Sequence, residues 1–182
     1  YRRQRQMCIR DSIIDNTYLY MGTDNGILIY NYRTDRYEQP ATDFPTDVRT
    51  MALQGDTLWI GALNGLYTYQ LQNRKLSPLD TKRNGLPHNT IYSIIRTGDN
   101  QIYVGTYNGL CRYIASNGKF EKIPLPVNSS QSNLFVNSLL EDTGRQCIWI
   151  GTEGYLFQYF PSTGQMKQTE AFHNNSIKSL AL

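Results

Sequence analysis

The chain has 182 residues, enough for one or two domains with a substantial core, and a formal net charge of +3. No apolar run approaches the ~20 residues that cross a bilayer, which excludes a membrane-spanning helix. Tyrosine is abundant, with 14 residues against six phenylalanines and two tryptophans, and the apolar runs are short and separated by Gly, Asn, Asp and Ser. This composition is typical of an all-β protein.

The positive charge is concentrated at the start of the chain. Four of the 18 basic residues and one of the 15 acidic residues lie among the first twelve, so the rest carries equal numbers of each. A neutral body without a basic stripe gives no electrostatic basis for binding nucleic acid or an anionic membrane. We therefore predict no nucleic-acid partner.

The first twelve residues, YRRQRQMCIRDS, differ in character from the rest. The stretch MCIRDS resembles a translated reading frame of a transposon-end adapter used in sequencing libraries. We interpret residues 1–12 as a non-native, adapter-derived segment and expect them to be disordered or poorly packed. The alternative is a genuine basic arm.

One nine-residue phrase occurs four times. It reads GTDNGILIY at 22–30, GALNGLYTY at 61–69, GTYNGLCRY at 105–113 and GTEGYLFQY at 151–159. The leading glycines are 39, 44 and 46 residues apart, a period typical of propellers and solenoids.

The third period predicts four short strands joined by tight turns. IYSIIR ends at a Gly-Asp-Asn turn, QIYVGT and LCRYI flank the Asn108-Gly109 hairpin, and KFEKIPL follows Ser-Asn-Gly. Asn-Gly is a strong hairpin signal, so the unit is a four-stranded antiparallel meander. Such a unit is a propeller blade, and it excludes a helical solenoid.

Three features of the repeat predict how the blades pack. We expect the glycines of the phrase to supply the positive φ of the hairpin turn. Aromatic residues before and at the end of the phrase are expected to pack between blades: Tyr20, Trp59, Tyr103 and Trp149, then Tyr30, Tyr69, Tyr113 and Tyr159. The third residue of each innermost strand is a small hydroxyl residue, which suits a crowded channel: Thr50, Ser93, Ser138 and Ser179. When the first copy is aligned in the same way, Asp11 stands where the other copies have the hydroxyl residue. A junction between adapter-derived and native sequence at residue 12 would produce this break in the pattern.

These patterns predict an all-β propeller fragment of about four four-stranded blades plus the start of a fifth, cut from a larger ring. The predicted blades are 13–47, which is incomplete, 48–90, 91–135 and 136–175, followed by the inner strand of the next blade at 176–182. An open arc exposes two end faces, and we expect self-association through aromatic residues on them such as Trp59 and Tyr159.

Signals for catalysis or metal binding are weak. Cys111 and Cys147 lie in apolar strands and are expected to be free, packed thiols. His88 and His173, the two histidines, lack Cys or carboxylate partners, so we predict no metal and no cofactor. Residues 141–144, EDTG, are interpreted as a hairpin turn. No two loop carboxylates have the spacing of a glycosidase pair, so we predict no catalytic residues.

The loops that precede the inner strands and the turns between second and third strands open on one face, around the channel. Asn, His, Asp and Tyr side chains in these loops suit sugar hydroxyls and sugar rings, although they also suit turns. The candidate ligand-binding residues are His88, Asn89, Tyr107, Asn108, Asp24, Asn25, Asn64 and Glu153.

The segment NGLPHNTIYSIIRTGDNQIYVGTYNGLCRYIASNGKFEKI, residues 84–123, resembles the two-component regulator propeller repeat. That repeat fills the periplasmic sensor region of hybrid two-component system proteins of Bacteroidetes. The resemblance covers about residues 13–182. It departs from the usual pattern at Tyr103-Val104, which replace Trp-Ile, at Ala62, which replaces Thr, and at Tyr155, which replaces Gly.

The resemblance implies that the fragment is cut from a seven-bladed ring. It also implies a non-catalytic, periplasmic domain that senses glycan-derived oligosaccharides, in a protein whose kinase lies outside this chain. The partners it implies are an oligosaccharide and the remaining blades and β-sandwich of the full-length sensor; a homodimer is a further expectation. Two alternatives stay open: a scaffold propeller that binds protein, and a propeller glycosidase or lyase.

Overall fold

The computed structural model describes residues 8–38, 43–126, 134–169 and 176–181, which contain four separate four-stranded antiparallel sheets. In each sheet the strands are hydrogen-bonded in chain order, so each blade is a meander. The prediction of an all-β arrangement of four four-stranded blades is confirmed.

The strands of each blade follow one another closely in the chain. The first blade has β1 (Ile9–Ile14), β2 (Tyr18–Thr23), β3 (Gly26–Asn31) and β4 (Arg36–Glu38). The second has β5 (Val48–Gln54), β6 (Thr57–Ala62), β7 (Gly65–Gln70) and β8 (Lys75–Leu79), followed by one helical turn, α1 (Thr81–Asn84). The third has β9 (Ile91–Arg96), β10 (Ile102–Thr106), β11 (Gly109–Ile114) and β12 (Lys119–Ile123). The fourth has β13 (Val136–Asp142), β14 (Cys147–Thr152), β15 (Leu156–Phe160) and β16 (Gln165–Gln168). In the described part of the chain, no helix has the length and hydropathy needed to span a membrane.

The first blade begins earlier than the sequence predicts. β1 starts at Ile9, and Ile9, Asp11 and Ser12 pair with β2, so the predicted boundary at residue 13 is wrong. The pairing also contradicts disorder for this part of the first twelve residues, although the Ile9 side chain is 57% exposed. Residues 1–7 lie outside the described residues, and the adapter origin stays a prediction.

The inner strands of the next three blades begin at the predicted residues, Val48, Ile91 and Val136. The predicted inner strand at 176–182 differs. Residues 177–181 form no strand, and one isolated bridge joins Ser176 to Glu153. A strand needs a paired neighbour, and none of the described residues forms an outer strand beside this segment.

Each inner strand departs from regular pairing at its second residue. In β5, Val48 pairs with Ala62 and Thr50 with Gly61, so Arg49 has no partner on β6. In the other inner strands, too, the second residue has no pairing partner on the adjacent strand: Arg10, Tyr92 and Asn137. A β-bulge of this kind bends a strand and turns the extra side chain in a new direction. The first and third residues of β5, β9 and β13 are buried, whereas the second is half-buried.

The hydrophobic core lies between the blades. Three clusters of buried side chains each combine residues of two successive blades. Trp59 of the second blade meets Tyr113 of the third at 4.8 Å between ring centroids, and Tyr103 of the third blade meets Tyr159 of the fourth at 6.2 Å. The prediction that aromatic residues pack between blades is confirmed for these pairs. Burying one such side chain stabilises a fold by roughly 1.5–3 kcal/mol.

The expectation that Trp59 and Tyr159 lie on exposed end faces is wrong. They are only 2% and 8% exposed, because each is covered by a neighbouring blade. The large apolar side chains with the greatest exposure among the described residues belong to the first blade, where Ile14 is 64% and Tyr37 69% exposed.

The leading glycine of the repeated phrase permits close packing of blades, and it does not form the turn. Gly61 has no positive φ, but a Cβ atom there would lie 2.6 Å from Cγ2 of Ile91 and 2.7 Å from Cγ2 of Thr50. Real Cβ atoms do not approach so closely. The predicted positive φ belongs to the second glycine, with 115° at Gly26 and 99° at Gly109.

The cysteines are free, as predicted. Cys111 and Cys147 are buried in β11 and β14, and burial raises the pKa of the Cys111 thiol. A thiol that stays protonated is a poor nucleophile and metal ligand, so both residues act as packing side chains.

Candidate ligand-binding face

The predicted site residues lie in two kinds of loop. We call the surface formed by these loops the loop face. It comprises the turns at 24–25, 63–64, 107–108 and 153–154 and the segments that precede the inner strands, at 43–47, 85–90, 134–135 and 176.

Hydrogen bonds join these loops from blade to blade. The N–H of Asp47 donates to the carbonyl of Asp24 at 3.0 Å, and the N–H of Leu63 donates to the carbonyl of Asp47 at 3.3 Å. The Thr90 hydroxyl donates to the carbonyl of Leu63 at 3.1 Å, and the N–H of Tyr107 donates to the carbonyl of Thr90 at 3.0 Å. The candidate residues of three blades therefore stand on one connected backbone framework.

A buried threonine fixes the turn in most blades. In the third blade the Thr106 hydroxyl donates to the carbonyl of Gly109 at 2.9 Å and accepts from the N–H of Asn108 at 3.0 Å. Thr23 makes equivalent bonds in the first blade, and in the fourth blade the Thr152 hydroxyl donates to the carbonyl of Tyr155 and accepts from its N–H. Ala62 occupies this position in the second blade, so that turn lacks the threonine bonds.

Aromatic rings meet at the third blade. The rings of His88 and Tyr107 lie 4.8 Å apart between centroids, and Tyr107 meets Phe135 edge-on at 4.1 Å. Phe135 in turn lies 6.0 Å from Tyr92, the second residue of β9. Tyr107 remains 38% exposed, so its ring is held in place and still open to solvent.

The hydrogen bonding of His88 defines its tautomer. Its Nδ1 accepts a 3.0 Å bond from the N–H of Thr90, so in the neutral ring the proton lies on Nε2. Nε2 is thereby a hydrogen-bond donor. Sequence reasoning identified His88 and Tyr107 separately, and the structure brings them into contact.

Two candidate carboxylates already have partners. Glu153 Oε1 accepts from the Asn137 amide at 3.1 Å and from the Ser176 hydroxyl at 2.9 Å. Asp24 forms a 2.5 Å ion pair with Arg10. Both carboxylates thus hold loops or strands together.

The candidate asparagines are exposed: Asn25, Asn64, Asn89 and Asn108. Asn89 and Asn108 adjoin His88 and Tyr107 in sequence. The hydrogen bonds and ring contacts of the described residues link neither Asn25 nor Asn64 to that ring cluster. The structure therefore gathers half of the predicted residues at the third blade.

The turn between β13 and β14 lies at residues 143–146, so the predicted turn 141–144 begins two residues too early, on the last residues of β13. The Asp142 carboxylate accepts from the Trp149 indole at 3.1 Å and from the N–H and guanidinium of Arg145, both at 2.9 Å. The bonds from Trp149 and Arg145 hold the pKa of Asp142 below its ordinary value. This carboxylate is structural.

Sequence reasoning missed a cavity at the centre of the arc. It has a volume of about 470 Å³ and is lined by Arg10, Arg49, Tyr92, Asn137, Glu153 and Lys178, of which only Glu153 was predicted. The repeat does contain a signal for this cavity. Four of the lining residues are the second residue of an inner strand, and Lys178 is the second residue of the corresponding segment after Ile177. We call this space the channel cavity.

A larger cavity of about 580 Å³ lies between the third and fourth blades and includes Tyr103, Arg112 and Gln146. It contains none of the predicted residues. The preceding interface, between the second and third blades, differs from this one. There Trp59 and Phe120 pack against each other, with 6.5 Å between ring centroids. The smaller Tyr103 stands at the position equivalent to Trp59.

Within the described residues, no group of three or more His, Cys, Asp or Glu side chains is arranged to hold a metal ion. His173 lies outside the described residues, so the expectation that it binds no metal stays a prediction.

Comparison with known proteins agrees with the repeat pattern. The family model for the two component regulator propeller matches residues 85–108. The chain is 84% identical to part of the extracellular domain of the hybrid two-component system BT4673 from B. thetaiotaomicron, with a TM-score of 0.93. That match covers 100% of this chain and 24% of the solved one.

A second solved structure supports the fold alone. The extracellular domain of the hybrid two-component system BT3049 from B. thetaiotaomicron is 20% identical, with a TM-score of 0.75, over 90% of this chain and 23% of that one. Among curated protein sequences, none matches the chain.

Proposed function

We propose that the chain is built of two-component regulator propeller repeats and is part of a periplasmic, non-catalytic sensing domain of a hybrid two-component system protein. The support is its 84% identity to a segment of an extracellular domain of such a system. The family match is to a regulator propeller and indicates no catalytic family for this region.

The proposed ligand is a glycan-derived oligosaccharide. The observation that carries this proposal is the exposed Tyr107 ring, which His88 and Phe135 hold in a fixed orientation on the loop face. An amphipathic ring of this kind offers an apolar face to the C–H groups of a sugar. Asn89 and Asn108 offer amide donors and acceptors to its hydroxyls.

The ring cluster also has low conformational freedom before binding. Tyr107 is fixed by its backbone bond to Thr90 and by edge contact with Phe135, and His88 is fixed by its bond to the N–H of Thr90. A site that is ordered in advance loses less entropy when the ligand binds.

We expect this chain alone to bind more weakly than the complete domain. It spans 24% of the solved domain that it matches, so a ligand held by several blades would lose the contacts of the others. Losing those contacts and their ordering effect lowers affinity.

The test is calorimetry with a panel of plant and host oligosaccharides, on this chain and on the complete extracellular domain that contains it. Tyr107→Ala is expected to weaken binding about tenfold or more, a loss of about 1.4 kcal/mol. Tyr37→Ala is the matched control, because Tyr37 is an exposed tyrosine on the outer strand β4, and it is expected to bind normally.

Two results would contradict the proposal. If no oligosaccharide binds the complete domain, the glycan assignment is wrong, and a protein-binding scaffold becomes the better explanation. If Tyr107→Ala binds as well as the unchanged domain, the site lies away from the third blade.

A further inference from the structure

The channel cavity collects the second residue of successive inner strands. Arg49, Tyr92 and Asn137 come from β5, β9 and β13, and Lys178 holds the same position after Ile177. Arg10 of β1 lines the cavity too, but the argument rests on Arg49 and Lys178 because residues 1–12 are predicted to be non-native.

The repeated bulge explains why these side chains converge. The residues on either side of Arg49 pair with β6 and are buried, whereas Arg49 itself has no pairing partner. The same geometry at Tyr92 and Asn137 turns both side chains toward one space. Bulges are over-represented beside functional sites because they aim a chosen side chain.

The cavity has an excess of positive charge. Among the described residues, neither Arg49 nor Lys178 forms a salt bridge with an acidic side chain. Arg10 is paired with Asp24, and Glu153 already accepts bonds from Asn137 and Ser176. The three cations of the lining outnumber its one carboxylate, Glu153, so a bound anion would reduce the repulsion among them.

Arg49 also has an unmet hydrogen bond. Its Nε is buried and has no partner within the described part of the chain. A buried guanidinium N–H without an acceptor costs free energy, and an oxyanion would supply that acceptor. The planar fork of arginine matches two oxygen atoms of a carboxylate, sulfate or phosphate.

We propose that the channel cavity binds a small oxyanion group, with Arg49 as the bidentate ligand and Lys178 as the second cation. The Tyr92 hydroxyl and the Asn137 amide line the same space and offer further hydrogen bonds. A volume of about 470 Å³ holds such a group together with ordered water. Neither His88 nor Tyr107 lines this cavity, and the oxyanion site does not depend on the proposed glycan ligand.

Calorimetric titration with sodium sulfate, sodium phosphate and sodium acetate tests the proposal, with sodium chloride used to keep ionic strength constant. It is run on this chain and on the complete extracellular domain that contains it. We expect saturable binding of at least one oxyanion to both proteins. Comparing the three salts identifies whether a carboxylate or a tetrahedral oxyanion is preferred.

The variants Arg49→Gln and Lys178→Gln are each expected to weaken this binding about tenfold or more, since each removes a charge-assisted contact. Arg49→Lys keeps the charge and is expected to retain part of the affinity, which separates loss of a ligand from loss of the fold. Lys75→Gln removes an exposed charge on β8 and is expected to change nothing.

Three results would overturn the proposal. One is the absence of saturable binding in both proteins, and another is equal affinity in Arg49→Gln and the unchanged chain. The third is binding to this chain but not to the complete domain, which would show that an acidic group of another blade occupies the cavity.

Discussion

The side-chain oxygen of Thr50 accepts a 3.1 Å hydrogen bond from the backbone N–H of Ile94 in the next blade. Asp11 makes the same contact with the N–H of Met51, at 2.5 Å. Ser93 and Ser138 act as donors instead of acceptors. Their hydroxyls donate to the carbonyls of Val136 and Ile177 in the segment that follows, both at 3.3 Å. The third position of the inner strand therefore ties each blade to the next.

The first prediction concerns this contact. Thr50→Val keeps the side-chain shape but removes the acceptor, leaving the buried N–H of Ile94 without a partner. We expect a loss of about 1–3 kcal/mol in the free energy of unfolding, measured with urea. Thr50→Ser, which keeps the hydroxyl, is the control and is expected to retain more stability. Equal losses in the two variants would show that the hydrogen bond is unimportant.

The second prediction concerns the leading glycine. Gly61→Ala places a methyl group against Ile91 and Thr50, and we expect a loss of about 1–3 kcal/mol because the blades must separate. Gly98→Ala is the matched control, since its nearest neighbour would be Oε1 of Glu141 at 3.7 Å, an ordinary contact. Thermal unfolding of both variants makes the comparison. Similar midpoints would mean that the interface accommodates the methyl group.

The third prediction concerns pH. The bonds from Trp149 and Arg145 lower the pKa of Asp142 in the folded state, so folding favours its ionised form. The resulting stability is present above the pKa of the unfolded chain, about 4, and is lost as pH falls through the lower folded pKa. Asp142→Asn removes this contribution, so the difference in urea midpoint between the unchanged chain and the variant is expected to shrink in acid.

Asp43→Asn is the control for this experiment. Asp43 is exposed, and the described residues provide it with no hydrogen-bond partner. We expect its substitution to have little effect on the urea midpoint at any pH. A difference for Asp142→Asn that stays constant with pH would contradict the assigned role of the carboxylate.

The fourth prediction concerns self-association. Ile14 and Tyr37 expose most of their apolar surface on the first blade, and burying it against a second copy is favourable. We expect the chain to associate with increasing concentration in sedimentation velocity, and the double variant Ile14→Asn, Tyr37→Asn to associate less. Tyr107→Asn, on the loop face, is expected to associate normally. A chain that is monomeric at every concentration would contradict this.

The sequence by itself determined the blade. Strand length, the Asn-Gly turn and the aromatic positions are local features that recur with the repeat, so the starts of β5, β9 and β13 could be read from it. Gly-rich turns and short apolar runs admit few other structures. His88 and Tyr107 were identified for the same reason, because their loops are defined by the repeat.

Only the tertiary structure decided what lies between blades. The direction of Arg49 depends on strand register, because a bulge in β5 turns this side chain to the channel. The requirement for glycine at position 61 and the hydrogen bond that Asp11 accepts depend on atoms of a neighbouring blade. A single blade carries no signal for them, because the partner atoms are about forty residues away in the chain. Local pattern fixes the repeating unit, and packing between units assigns each position its role.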